Sequence, residues 1–226
     1  GDTSLSPGSL EAAFRSVGGA CFAVDEVIAR HVDNAFVATR PPGHHAETAT
    51  AMGFCFFNNA AIAARHAQAV HGAERVAIMD FDVHHGNGTE DIVAGDDRIL
   101  MVSFYQHPFY PHGGSRSDAD NLVNVPVPAY TRGQAVRELV DDLWMPRLEA
   151  HKPEMIFISA GFDAHREDDM GGLGLVEADY AWITSRIKEV AQRHAAGRIV
   201  SVLEGGYALS ALGRSVVAHL KVLGGL

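Results

Sequence analysis

The chain has 226 residues, 47% hydrophobic and 20% charged, enough for one well-buried domain. A formal net charge of −10 argues against general binding to nucleic-acid phosphates, and no apolar run approaches the ~20 residues needed to span a bilayer. Two cysteines, Cys21 and Cys55, make no disulfide framework, so a reducing, cytoplasmic setting is expected.

The first residues, Gly1-Asp2-Thr3-Ser4-Leu5-Ser6, carry neither the basic nor the apolar part of a signal peptide and no initiator methionine. A first helix is predicted over residues 9–31, entered through Ser6-Pro7-Gly8. Strands are predicted near 35–39, 75–79, 99–104, 122–127, 155–159 and 199–203. Helices are predicted between most of them, near 58–70, 131–150 and 176–194, with a last one near 209–223. The strands are short, β-branched and almost continuously apolar, as in a parallel sheet buried on both faces. Pro126 and Pro128 confine the 122–127 strand to an edge or a terminus. The long stretch 105–121, rich in Gly, Pro, Ser and His, reads as a functional or mobile loop, with His107 and His112 facing solvent. No repeat or linker interrupts the pattern, so residues 1–226 are expected to form a single α/β domain.

Four predicted strands end in turns loaded with chemistry. They lead into Arg40-Pro41-Pro42-Gly43-His44-His45, Asp80-Phe81-Asp82-Val83-His84-His85, Ala160-Gly161-Phe162-Asp163-Ala164-His165 and Glu204-Gly205-Gly206-Tyr207. If the strands are parallel, all four turns meet at one sheet edge, where ligand sites in such folds gather. On an extended backbone Asp80, Asp82 and His84 share a face. Asp82, His84 and Asp163 are a three-ligand set for a divalent transition metal, with a position left open for catalysis. The His44-His45 pair, braced by two prolines, suits general acid–base work on an activated water. Tyr207, after two glycines, suits hydrogen bonding to a developing oxyanion. Taken singly, each cluster has a plainer explanation: a helix cap, a packed aromatic, a surface histidine pair. Their common position is the argument for a hydrolytic site acting on an amide or related carbonyl. His85 is expected to pack beneath it, and His165 and Arg166 to be structural or at the rim.

The motifs Arg-Pro-Pro-Gly-His-His at 40–45, Gly-Phe-Cys-Phe-Phe-Asn-Asn at 53–59, Asp-Phe-Asp-Val-His-His-Gly-Asn-Gly-Thr at 80–89, Ser-Ala-Gly-Phe-Asp-Ala-His at 159–165 and Glu-Gly-Gly-Tyr at 204–207 occur in order. Together they resemble the zinc-dependent histone deacetylase family. Ala51-Met52-Gly53-Phe54-Cys55 and Asn87 are more similar to its class II and bacterial amidohydrolase-like branch. The resemblance implies a three-layer arginase/deacetylase fold, with a central mostly parallel sheet flanked by helices. It implies one Zn²⁺ on Asp82, His84 and Asp163, and deacetylation of an acetyl-lysine protein or an acetylated small amine. By the same resemblance His45 is the general base and acid, His44 its electrostatic helper, Asp80 the acid bonded to His44, and Tyr207 the group that polarises the acetyl carbonyl. Phe54 is expected to wall an acyl-lysine tunnel with Tyr110 facing it, and Gly53 to let substrate near the backbone. A structural K⁺ is implied around Asp80, Asp82, His84, Ser103 and Phe104. Asn87, where class I members carry an aspartate, is expected to lower the basicity of His45.

The chain opens inside the family pattern. An N-terminal segment with a substrate-gripping acid is therefore expected to be missing, which leaves a non-catalytic acyl-lysine-binding module or an inactive fragment as one alternative. An arginase-like manganese hydrolase is the other. A second metal would want further acids, and the Asp163 turn supplies His165 and Arg166 instead.

Overall fold

A computed structural model describes residues 2–226. Six strands form one sheet: β1 (Asn34–Val37), β2 (Val76–Asp80), β3 (Ile99–Gln106), β4 (Leu122–Val127), β5 (Met155–Ala160) and β6 (Ile199–Leu203). Their order is β1-β6-β5-β2-β3-β4, and every pairing is parallel. The proline-bearing β4 is an edge strand, as Pro126 requires. From β2 the chain runs outward to β3 and β4, then returns to lay β5 on the other side of β2. That reversal puts the topological switch point between β2 and β5, whose carboxyl ends carry Asp82, His84 and Asp163.

Period-two alternation divides the strand residues between two cores. Val76, Ile78, Met101 and Phe157 pack beneath α1 (Ser9–Ile28) and α2 (Asn59–His71). Ala77, Met79, Val102 and Ile158 face the helices on the other side, α6 (Glu177–His194) and α7 (Leu209–Gly224) among them. The result is the expected three-layer architecture. Helix α2 lies close to the sheet because its inward positions, Ala60, Ala61, Ala63, Ala64 and Ala67, are alanines. It begins at Asn58, whose side chain accepts the Ala61 N–H at 3.0 Å, and ends at Gly72 in a left-handed conformation, φ 71°.

Several boundaries differ from expectation. Helix α1 stops at Ile28, and β3 runs two residues further, to Gln106. The predicted 131–150 helix is three pieces: α4 (Gly133–Leu139), a π-helical turn Val140–Trp144, and α5 (Met145–His151). Pro146 has no N–H to continue an α-helical ladder, and the wider turn lets the buried Trp144 indole donate to the Ser103 carbonyl. A short helix over Asn87–Val93, α3, was not expected, because its buried residues Asn87, Gly88, Thr89 and Glu90 make no apolar stripe. Among the described residues, no helix is long and apolar enough to cross a membrane.

Under the sheet's α6/α7 face, His219 is buried between the hydroxyls of Thr184 (2.7 Å) and Ser201 (3.0 Å) and is packed against Phe81 and Phe162. Burial pushes its pKa down to about 3. A lowered histidine pKa stabilises the fold above the unfolded value near 6.5, and that stability is lost as pH falls toward 3. We expect this residue alone to withdraw about 2 kcal/mol between pH 7 and 5. Denaturant midpoints at the two pH values check this: the drop should be smaller in His219→Gln than in the parent chain.

Candidate active site

Beyond the carboxyl edge of the sheet the four loaded turns do converge. Asp80 is the last residue of β2, so Asp82 and His84 sit not on a strand but on the bend that follows it. They still face one another, because each turn is locked by its own side chains. Asp80 Oδ1 accepts the Asp82 N–H at 3.1 Å, and Asp82 Oδ1 accepts the His84 N–H at 2.8 Å. Asp163 Oδ1 accepts the Val83 N–H across the switch point at 2.9 Å. His84 Nδ1 then lies 3.1 Å from both Asp82 Oδ1 and Asp163 Oδ2, and all three residues are buried.

The donor set fits a divalent metal. Two carboxylates and one imidazole, with ligand atoms within 4.8 Å of one another, match the ligands of Zn²⁺-like ions. Glycine makes the space: a β-carbon on Gly161 would overlap the Asp82 carboxylate, and one on Gly205 would overlap Asp163. Burial together with the Asp82 charge pushes Asp163 up to about 6. Burial opposes a charge on His84, yet hydrogen bonds to Asp163 and Asp82 raise it to about 10. The cluster therefore calls for a positive charge among its carboxylates, which a proton on His84 or a bound cation supplies.

His44 and His45 lie beside it, ring centroids 4.0 Å apart, and their environments differ. His44 Nδ1–H donates to Asp80 Oδ2 at 2.9 Å. Burial opposes its charge, but Asp82 and Asp80 carry its pKa well above 6.5. His45 is held well below 6.5, first by burial and then by the neighbouring His44 charge. Asn87 Nδ2 donates to Glu47 Oε1 (2.8 Å), which turns Asn87 Oδ1 toward His45 Nδ1 (2.8 Å). The acceptor oxygen requires a proton on Nδ1, so Nε2 of His45 carries the free lone pair.

A cavity of about 290 Å³ opens over these groups. His44, His45, His84 and Gly205 line its inner part, and Phe54, Phe109, Tyr110, Met170 and Tyr207 are among its walls. Phe54 packs edge-on to Tyr207 (6.4 Å), whereas Tyr110 stands edge-on over His45 (5.0 Å). Gly53 also lines the cavity, but its missing side chain first makes room for protein: a β-carbon there would strike the His45 ring, and φ is 57°.

Ser103 pairs in register with Asp80 and donates its hydroxyl to Asn124 at 2.7 Å, while Phe104 is buried in the core. His85 is buried under the site as expected, beside Tyr105 and 3.1 Å from Glu90. His165 is fully buried rather than at the rim, while Arg166 and His112 are exposed.

Three acids escaped the sequence reading. Glu204, buried, accepts the N–H groups of Gly43 and His44 at 2.7 and 3.1 Å and so fixes the histidine loop. Asp168 accepts the N–H groups of Tyr207 (2.7 Å) and Ala208 (2.9 Å) and so aims the phenol-bearing turn. A charged residue ending an apolar strand was the available signal for Glu204; Asp168 had none. Asp2, exposed at the cavity mouth, accepts the Tyr110 hydroxyl at 2.7 Å. An acid therefore stands at the cavity mouth, where the first described residues lie against the cavity and Thr3 Oγ1 accepts the Phe54 N–H at 3.1 Å.

The profile described as "Histone deacetylase domain" matches residues 1–223. Type-2 histone deacetylase 2 of Dictyostelium discoideum is 43% identical over 98% of this chain, which spans 14% of that protein. A histone deacetylase-like amidohydrolase of Pseudomonas aeruginosa is 41% identical over 91% of the chain, which spans 56% of it. Among solved structures, the HDA15 HD domain superposes with a TM-score of 0.89 at 37% identity, covering 95% of this chain and 62% of that one.

Proposed function

Because the chain belongs to the histone deacetylase family, we propose that it is a zinc-dependent amidohydrolase that removes an acetyl group from acetyl-lysine or a related acetylated amine. The observation that carries this reading is one apolar cavity lined by His45, Tyr207 and His84, with the two carboxylates of the Asp82, His84 and Asp163 cluster buried directly behind His84. Zn²⁺ held by those three residues would polarise the acetyl carbonyl and acidify a neighbouring water. His45 Nε2, with its lone pair free, takes the proton of the attacking water and later returns it to the leaving amine. The proton on His45 Nδ1 stays there throughout, donated to Asn87 Oδ1. His44, charged against Asp80, holds positive potential beside the developing oxyanion, and the Tyr207 hydroxyl donates to it. The aromatic walls exclude water and suit an alkyl stem, while Asp2 at the mouth offers a carboxylate to substrate N–H groups. A three-ligand cluster favours one cation over a bridged pair. The same reading assigns a structural K⁺ to oxygens around Asp80, Asp82, His84, Ser103 and Phe104, and a single catalytic domain to residues 1–226.

The test is acetate release from a fluorogenic acetyl-lysine peptide by the purified chain, with metal counted on the same sample. Turnover with zinc bound supports the reading. A fully zinc-loaded chain that releases no acetate from acetyl-lysine peptides or acetylated small amines would overturn it.

The Asn87 link makes a separate prediction. Asn87→Asp puts a carboxylate on His45 Nδ1–H and raises the pKa of the general base. A base works deprotonated, so the acidic limb of the kcat/KM profile should move to higher pH. An unmoved limb would show that Asn87 does not tune this histidine.

A further inference from the structure

A second cluster of metal-ligating groups lies away from the cavity, where α1 packs on α2. His66 and His71 of α2 both point Nε2 at the same oxygen of Asp25 on α1, each at 2.7 Å. Their rings are nearly perpendicular, 77° apart with centroids at 5.5 Å, so the two nitrogens approach that oxygen from different directions. The three ligand atoms all lie within 4.8 Å of one another. Among the described residues no Lys or Arg pairs with Asp25, and hydrogen bonds with His71 and His66 lower its pKa. The side chains keep 23% (both histidines) and 45% (Asp25) of their surface, so solvent can reach the point where they converge.

The geometry points to a second divalent-metal site, of the two-histidine, one-carboxylate type, clamping α1 to α2 and completed by water. Two imidazole nitrogens and one carboxylate oxygen are ligands that borderline ions such as Zn²⁺ prefer. Tetrahedral bonds of ~2.0–2.2 Å would set neighbouring ligand atoms ~3.3–3.5 Å apart, so the side chains need open by only a fraction of an ångström from their hydrogen-bonded positions. The backbones beneath do not have to move, because Ala23, Val24 and Val27 of α1 already pack with Ala60, Ala63, Ala64 and Ala67 of α2 in one buried core. The site also bears on the histidine loop. Ser16 of α1 and Asn59 of α2 both donate to the Pro41 carbonyl, at 2.9 and 3.2 Å, so the clamped helices form the platform on which that loop rests.

The experiment is calorimetric titration of the metal-free full chain with Zn²⁺, run in parallel on Asp163→Ala, His66→Ala/His71→Ala and Asp25→Asn. Two classes of site are expected in the parent chain. One is lost in Asp163→Ala. The other is lost in the double histidine variant and weakened at least tenfold in Asp25→Asn. The histidine and Asp25 changes lie on partly exposed side chains, and circular dichroism confirms that the fold is kept. Loss of the Asp163 class alone from the expected pattern would count against the catalytic reading and not against this one. If the parent chain shows no binding event that depends on His66 and His71, the cluster is a hydrogen-bonded pair on a carboxylate and the proposal fails.

Discussion

Tyr207→Phe is expected to fold, to keep its metal content and to lose about 10²–10³ in turnover, the usual effect of removing one oxyanion donor. The turn that carries the phenol does not depend on its hydroxyl. Asp168 holds the main-chain N–H groups of Tyr207 and Ala208, and the ring packs against Phe54. The variant therefore deletes a donor and little else. Burial, with the charges of Asp82 and Asp163, holds the phenol's pKa well above its usual value, so it is a neutral donor at any working pH. The loss should fall on kcat more than on KM, because the oxyanion exists only in the transition state. Parent-like turnover in the phenylalanine variant would remove Tyr207 from the mechanism.

Asp163→Ala is expected to abolish zinc binding at the catalytic cluster, and turnover with it. This substitution also reaches into the fold. Asp163 is fully buried, and its loss strands the Val83 N–H and removes one of the two carboxylates facing His84. An orphaned buried donor costs about 1–3 kcal/mol, a large share of the stability of an ordinary domain. Metal content by mass spectrometry and a thermal melt separate the two effects. Lost zinc with a modest drop in Tm is the expected pair. Retained zinc would move the site elsewhere.

The parallel sheet was legible because strands buried on both faces read as near-continuous apolar runs, such as Val76-Ala77-Ile78-Met79. The Asp82 and His84 part of the candidate metal cluster was legible because two acids and two imidazoles after such a run have little to offer as packing. The helix near 131–150 was legible because its apolar residues recur at helical spacing on both sides of Pro146; the π-helical turn inside it was not, because it answers to Trp144 and its place under the sheet. Asp168 was illegible for a different reason. It sits in a loop of several acids, and only the fold shows that its carboxylate alone meets the Tyr207 turn.

Residue order alone determined the Asp82, His84 and Asp163 cluster, the histidine pair and the phenol, because each of the four turns lies within a few residues of a strand end and parallel strands deliver their ends to one edge. Whether those groups could act depended on distances that no spacing in the chain encodes. Asp163 meets Asp82 and His84 only because β5 pairs with β2. Asn87 sets the proton on His45 only because Glu47, forty residues away in the chain, turns its amide. Gly53 makes way for the His45 imidazole. Ligand type is a property of side chains and travels with the sequence; tautomer, charge and free volume arise from neighbours that only folding brings together.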